Sequence, residues 1–265
     1  MKTTCKNCTK EFKGRFCPKC GQKANTERIT LRQVFQEARR HVFHFDQGFT
    51  YTMRELLLRP GHTIREYTEG RRAKHIKPLK FMLWATAIGF LLFHYSGLDQ
   101  EMATKLVEQQ KSNNQFAQNF SQKTIAFIMG HPSVMLFSMV PVIAFSSWLL
   151  FRRRVYNYAE HFVLNTYLMG ELSLASIFTM PISKMISSMT TTTWPMTMFS
   201  MTLWLGYFGW GYSQFFQTPK SIWPWVKAGL AILIGYLLLI LLISILVIIA
   251  VTLFRSQLEG WVKGG

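Results

Sequence analysis

The run from Gly229 to Phe254, GLAILIGYLLLILLISILVIIAVTLF, carries no charged residue, and a soluble domain has few ways to bury so long an apolar stretch. A helix needs about 20 residues to cross a hydrocarbon core of about 30 Å, so this run spans a bilayer with length to spare. The excess is expected to be taken up by tilt or by extension past the membrane. Composition agrees, since 49% of the 265 residues are hydrophobic, 15% aromatic and only 16% charged, the balance of a polytopic membrane protein.

Five apolar segments of spanning length can be read, at about Leu79 to Leu98, Ser133 to Phe151, Glu160 to Met180, Met196 to Phe216 and Val226 to Phe254. The expected fold is therefore an all-α polytopic membrane protein of about five transmembrane helices, behind a small amino-terminal head. The head differs in composition: residues 1–80 hold 19 of the 30 Lys and Arg against 7 of the 13 Asp and Glu, so they carry most of the net charge of +17. Three parts follow: a cysteine module over 1–25, basic amphipathic helices over 26–78, and a membrane domain over 79–265. The first apolar run begins only near Leu79, so no secretory signal is expected. A basic head beside a bilayer is expected to meet anionic lipid headgroups, each surface Lys or Arg being worth about 1 kcal/mol. Nucleic acid is the less expected partner, because the charge adjoins a span.

All four cysteines lie in the first part, as Cys5-Lys6-Asn7-Cys8 and Cys17-Pro18-Lys19-Cys20-Gly21, two CxxC pairs separated by eight residues. Two such turns can aim four thiolates at one tetrahedral ion, and the pattern reads as a minimal zinc ribbon holding a structural Zn2+ through Cys5, Cys8, Cys17 and Cys20. Phe12 and Phe16 are expected to cap so small a fold. Disulfide or redox pairs are the rival reading, but neither an oxidising context nor a thioredoxin-like pattern accompanies them. A site of four thiolates leaves no open position for catalysis.

From Thr30 to Phe45, apolar residues Leu31, Val34, Phe35, Ala38 and Val42 recur at helical spacing behind a Thr30/Gln33 capping box. This helix either packs on the head or lies on the cytoplasmic leaflet. His41 and His44 could share a metal by spacing, but no carboxylate pattern accompanies them. The next stretch, RELLLRPGHTIREYTEGRRAKHIKPLKF, reads as a basic collar: Thr52/Glu55 and Thr63/Glu66 have capping-box spacing, Pro60-Gly61 breaks the chain, and Gly70 stands where a helix ends. Its cations form a solvated face that keeps this side cytoplasmic, or a phosphate or headgroup pocket made by Arg65, Arg71 and Arg72.

The cysteine pairs ending in CGQ, the pattern RPGHTIREYTEGRR with the following Pro78, and a later EHFVLN segment together resemble an uncharacterised family of bacterial membrane proteins. Its members join an amino-terminal zinc-ribbon-like segment to several transmembrane helices. The resemblance implies the same architecture and implies no activity.

Lys and Arg are dense in the head and at Arg152 to Arg154, and sparse between Asp99 and Pro132. The positive-inside rule then puts the amino terminus in the cytoplasm and the carboxyl terminus across a bacterial inner membrane. The third segment is the most polar, carrying Glu160, His161, Asn165 and Glu171. Glu160 and His161 are expected at the interface near Arg152 to Arg154, leaving Glu171 truly intramembrane. Such groups either tie helices together or line a proton or substrate path. No HExxH, GxSxG or phosphate-binding glycine loop is present. The leading expectation is a non-enzymatic adaptor or subunit that docks a protein partner in a membrane complex through its zinc head and collar. The alternative is a small transporter or lipid-handling protein that uses Glu171.

Overall fold

The computed structural model describes residues 2–39, 48–109, 115–152, 156–218 and 221–263. His41, His44, Arg153 and Arg154 lie outside them. A two-residue hairpin opens the chain, β1 (Thr3–Thr4) antiparallel to β2 (Glu11–Phe12), with Thr3 opposite Phe12. Three helices make the collar: α1 (Leu31–Arg39), α2 (Gly48–Leu58) and α3 (Pro60–Glu69). Seven more follow: α4 (Pro78–Tyr95), α5 (Leu98–Gln109), α6 (Gln115–Gly130), α7 (Pro132–Leu150), α8 (Tyr158–Met189), α9 (Trp194–Phe215) and α10 (Trp223–Lys263).

Helix α8 is the axis of the assembly. Residues 159–172 are buried without a break, because α4, α7 and α9 close around them. On the α4 side, Gly170 lies where a side chain would press on Phe81 and Met82, and Gly89 of α4 lies against the Ser173 backbone. On the α9 side, Gly211 lies against Leu168. A helix enclosed on every side can carry polar groups without showing them to lipid, provided that neighbours satisfy them. Such a helix scores low on hydropathy. Three helices are long and apolar enough to cross a membrane, over Pro78–Tyr95, Ser133–Leu150 and Trp223–Ile249. Helices α8 and α9 have the length but a more polar composition. The uncharged run falls in α10, where Leu237, Leu241 and Ile248 are exposed, as lipid-facing side chains should be.

The bundle has two distinct ends. At the head end lie the collar, the start of α4, the α7–α8 and α9–α10 connections, and Lys227 of α10, whose ammonium donates to Leu150 O at 3.1 Å. At the far end, α5 and α6 occupy the stretch between the first two apolar runs. Lys105 of α5 donates to Ser187 O at 2.5 Å and Thr190 O at 2.9 Å, placing a cation on the carbonyls that end α8. The Thr190 to Thr193 tract makes the α8–α9 turn, as its composition suggests.

The collar follows the sequence in outline and departs from it at two caps. Thr30 and Gln33 form the expected reciprocal box, at 3.2 and 3.4 Å. Gly70 ends α3 in the left-handed region with φ 109°. The other two boxes do not form, because α2 begins at Gly48 and α3 at Pro60, which leaves Thr52 and Thr63 inside helices. Thr52 instead accepts a hydrogen bond from Ile76 N at 3.0 Å, and Thr63 donates back to Arg59 O at 2.9 Å. Proline supplied the stronger start signal at α3, since its missing N–H is no loss at the first helical position.

The break at Pro60-Gly61 has a packing purpose. A Cβ on Gly61 would run into Gly211 O and Phe215 N, so the α3 backbone touches the α9 backbone directly. Gln214 reinforces the contact by accepting from Gly61 N at 3.1 Å. The obstacle is backbone rather than a mobile side chain, so Gly61→Ala is expected to destabilise the detergent-solubilised protein by about 1–3 kcal/mol. Gly206→Ala, which meets nothing within 4 Å, is expected to leave the thermal midpoint unchanged.

Candidate metal centre and buried polar sites

The two CxxC turns are built alike. Cys5 N donates to Lys10 O and Thr9 N to Cys5 O, at 3.0 and 2.9 Å; Cys17 N donates to Gln22 O and Gly21 N to Cys17 O, at 2.8 and 2.9 Å. Each turn needs one left-handed residue, supplied by Thr9 at φ 59° and Gly21 at φ 70°. Glycine takes this conformation freely, whereas threonine is strained in it. Paired this way, the turns converge four sulfur atoms within 4.8 Å of one another. Cys5 and Cys20 Sγ are 3.5 Å apart, and Cys8 and Cys17 Sγ 3.6 Å apart. Four ligands about 2.3 Å from a tetrahedral ion would stand about 3.8 Å apart, so the donor set fits a metal ion. A disulfide needs about 2.05 Å, and all four cysteines are free. Phe12 packs against Cys5 and Cys17, as expected. Phe16 does not cap the fold: it is 58% exposed.

The head is mounted on the collar and on the bundle. Lys6 donates to Thr26 O at 2.9 Å and its stem crosses Gly70, where a Cβ would stand 2.9 Å from Lys6 Cδ. Gln22 accepts from Arg72 N at 3.0 Å, and the Arg72 guanidinium donates to Tyr67 O and Glu27 O while lying over the Tyr67 ring. Burial pushes the Tyr67 phenol up, and Glu37 adds to the shift. From here residues 26–30 strap across the start of α8. Arg28 makes a two-pronged ion pair with Glu160, Nε to Oε1 at 3.1 Å and Nη2 to Oε2 at 2.9 Å. The same carboxylate completes an α8 capping box, accepting from Asn157 N at 2.6 Å, and the Asn157 amide donates to Ile29 O at 3.1 Å.

The four polar residues of the third apolar segment therefore separate into three places. Glu160 belongs to the head interface through Arg28, a partner 132 positions away that no local pattern could indicate. His161 and Asn165 join a buried junction: Ser147 Oγ of α7 lies 2.9 Å from His161 Nδ1, Asn165 donates to Ser147 Oγ at 3.3 Å, and Tyr212 of α9 donates to Asn165 Oδ1 at 2.8 Å. This ties α7, α8 and α9 at one level, leaving His161 Nε2 buried without a hydrogen bond. Ser147 and Tyr212 were not legible in the sequence, since neither sits in a motif. Glu171 stands apart from these, fully buried, with both carboxylate oxygens lacking a hydrogen-bond partner among the described residues. The four residues do not form one continuous track.

The collar arginines separate in the same way. Arg65 donates to Gln214 O at 2.9 Å, a cation on the carboxyl end of α9. Arg72 serves the head. Arg71 lines a separate recess with Lys74, His75 and Asn7 of the head. Burial pushes the His75 imidazole down, which favours its neutral form near pH 7. Of three glycines in α9, Gly211 meets Leu168 and Gly209 meets the Trp225 indole, whereas Gly206 faces open space.

One metal ion per chain is expected by elemental mass spectrometry of the purified protein. Cys17→Ser with Cys20→Ser should abolish it, because two thiolates cannot close the site. Metal-free wild-type protein with two disulfides would contradict this assignment.

Residues 46–90 match a family described as protein of unknown function (DUF3667), a region that holds α2, α3 and the first part of α4. No curated protein and no solved structure matches the chain.

Proposed function

We propose that the chain is a non-enzymatic subunit or adaptor of a membrane assembly, docking a protein partner through its metal-bound head and collar. The observation that carries this reading is the mounting of the head. It is fixed to the bundle while Phe16 stands exposed at the mouth of a groove of about 510 Å³, formed jointly by head and collar and lined also by Gln22, Gln36, Tyr67 and Lys77. Lys23 lines it, beside Glu27 and Glu37, and Lys13, Arg15 and Lys19 are exposed elsewhere on the same head. An aromatic side chain held out at the edge of a groove is the kind of anchor that protein interfaces use, and the net positive charge of the head would steer an acidic partner toward it.

In this reading the metal is Zn2+, the ion best suited to four thiolates in a closed tetrahedral site. Residues 1–25, 26–78 and 79–265 act as module, collar and membrane domain. Helices α8 and α9 join the three most apolar helices as spans, giving five. Their lengths of 32 and 22 residues support this, as does the shielding of the polar residues of α8 by its neighbours. Arg152, just after α7, and Lys227, near the start of α10, lie at the head end, which favours a cytoplasmic head and a carboxyl terminus across the membrane. The resemblance noted above points to a bacterial inner membrane.

A second reading, a small transporter or lipid-handling protein, draws on Glu171, whose buried, unpartnered carboxyl group is the kind of group that marks intramembrane function. Two variants separate the readings. Under the first, Phe16→Ala reduces the amount of partner that co-purifies in mild detergent, and Glu171→Gln leaves it unchanged. Under the second, Glu171→Gln abolishes transport or lipid binding and Phe16→Ala has no effect. A partner-free monomer from native membranes would overturn the adaptor reading.

A further inference from the structure

Most cations of the collar are already committed. Arg59 pairs with Glu55 and Glu66, Arg65 with the end of α9, and Arg72 with Tyr67 O and Glu27 O. Arg71 and Lys74 are different. Both are exposed, and among the described residues neither side chain has an ion-pair or hydrogen-bond partner; Lys74 lies only over the Tyr51 ring, 5.8 Å from its centroid. The two line one recess of about 170 Å³ with Asn7, Tyr51, Glu66 and His75. Its one acid, Glu66, is engaged by Arg59 at 3.3 Å. His75, which lines the recess, has its Nδ1 buried with no hydrogen-bond partner among the described residues, an unmet group of the kind that a ligand satisfies.

We propose that this recess is a binding site for a phosphate group, held by the charges of Arg71 and Lys74 and by hydrogen bonds from His75, Tyr51 and Asn7. Two uncommitted cations beside neutral donors suit a tetrahedral oxyanion, which offers several acceptor oxygens and at least one negative charge. A carboxylate ligand would leave more of these donors unused. The recess also spans two parts of the protein. Asn7 belongs to the first CxxC turn and the rest to the collar, so a bound phosphate would clamp the metal head onto the helices beneath it. Because the recess lies a few residues before α4 begins at Pro78, a phospholipid headgroup and a free phosphate compound can both reach it. The lipid source rests on the reading of the head end as a membrane surface; the phosphate chemistry does not.

The test uses the full-length protein in neutral detergent for titration with inorganic phosphate, and in vesicles of phosphatidylcholine with or without phosphatidylglycerol for the lipid arm. Arg71→Ala with Lys74→Ala is compared with Arg54→Ala, which removes an exposed collar cation outside the recess. Retained metal content and thermal midpoint confirm that each variant is folded. Loss of about tenfold or more in phosphate affinity, or in the preference for phosphatidylglycerol, in the double variant but not in Arg54→Ala supports the site. A loss confined to the vesicle arm identifies the headgroup as the source, and one confined to inorganic phosphate identifies a soluble compound. Equal losses in both variants would reduce the effect to diffuse charge and overturn the proposal, as would binding of neither probe. Co-purification of a protein partner is a separate readout, so failure here and failure of the adaptor reading are distinguishable.

Discussion

The ion pair between Arg28 and Glu160 joins the two halves of this protein. Glu160 caps the amino end of α8, the buried axis of the bundle, and the same carboxylate receives both prongs of the Arg28 guanidinium. A single charge thus caps the central helix and anchors the strap that carries the cysteine head. Arg28 is about half exposed, which limits the energy of the pair through solvent screening. Its importance is geometric: it fixes where residues 26–30 cross α8, and Gln22, Lys6 and Arg72 then hold the head against Gly70 and Tyr67. The exposure of Phe16 and the groove beside it follow from that placement.

Much of the local plan was legible in the sequence. The CxxC spacing announced four convergent sulfurs, Pro60 and Gly70 bounded α3, and the uncharged run from Gly229 marked α10. These signals depend on the residues next to them in the chain, through a turn, a missing N–H or a positive φ. What could not be read depends on distant partners. Nothing near Glu160 in the sequence points to Arg28; of the expected neighbours, Arg152 to Arg154, only Arg152 lies among the described residues, and it makes no ion pair with Glu160 there. Thr52 and Thr63 show the same limit, because capping-box spacing does not reveal whether a helix has already started upstream. Phe16, apolar and beside a cysteine, had every local reason to be buried. Phe12 alone packs onto the cysteine pairs, and so small a hairpin has little further core to offer.

The polarity of α8 is the most instructive departure. An apolar run advertises a helix that faces lipid, and α10 does so plainly. A helix in the middle of a bundle is under no such constraint, since its surroundings are other helices. Ser147, His161, Asn165 and Tyr212 exploit this by joining three helices through side-chain hydrogen bonds, while Gly211 lets α9 come close to α8, and Gly170 and Gly89 let α4 do the same. Glu171 falls outside this network, buried as deeply and without a hydrogen-bond partner among the described residues, which is what the transport reading draws on.

If Arg28 and Glu160 act as one clasp, removing either should free the strap as fully as removing both. A double-mutant cycle with Arg28→Ala and Glu160→Gln tests this directly, the glutamine retaining an oxygen for the α8 cap while removing the charge. The readout is hydrogen exchange by mass spectrometry over residues 22–39 in the full-length protein. The account requires faster exchange in each single variant and no further increase in the double variant. Unchanged exchange in Arg28→Ala, or effects that simply add, would contradict it.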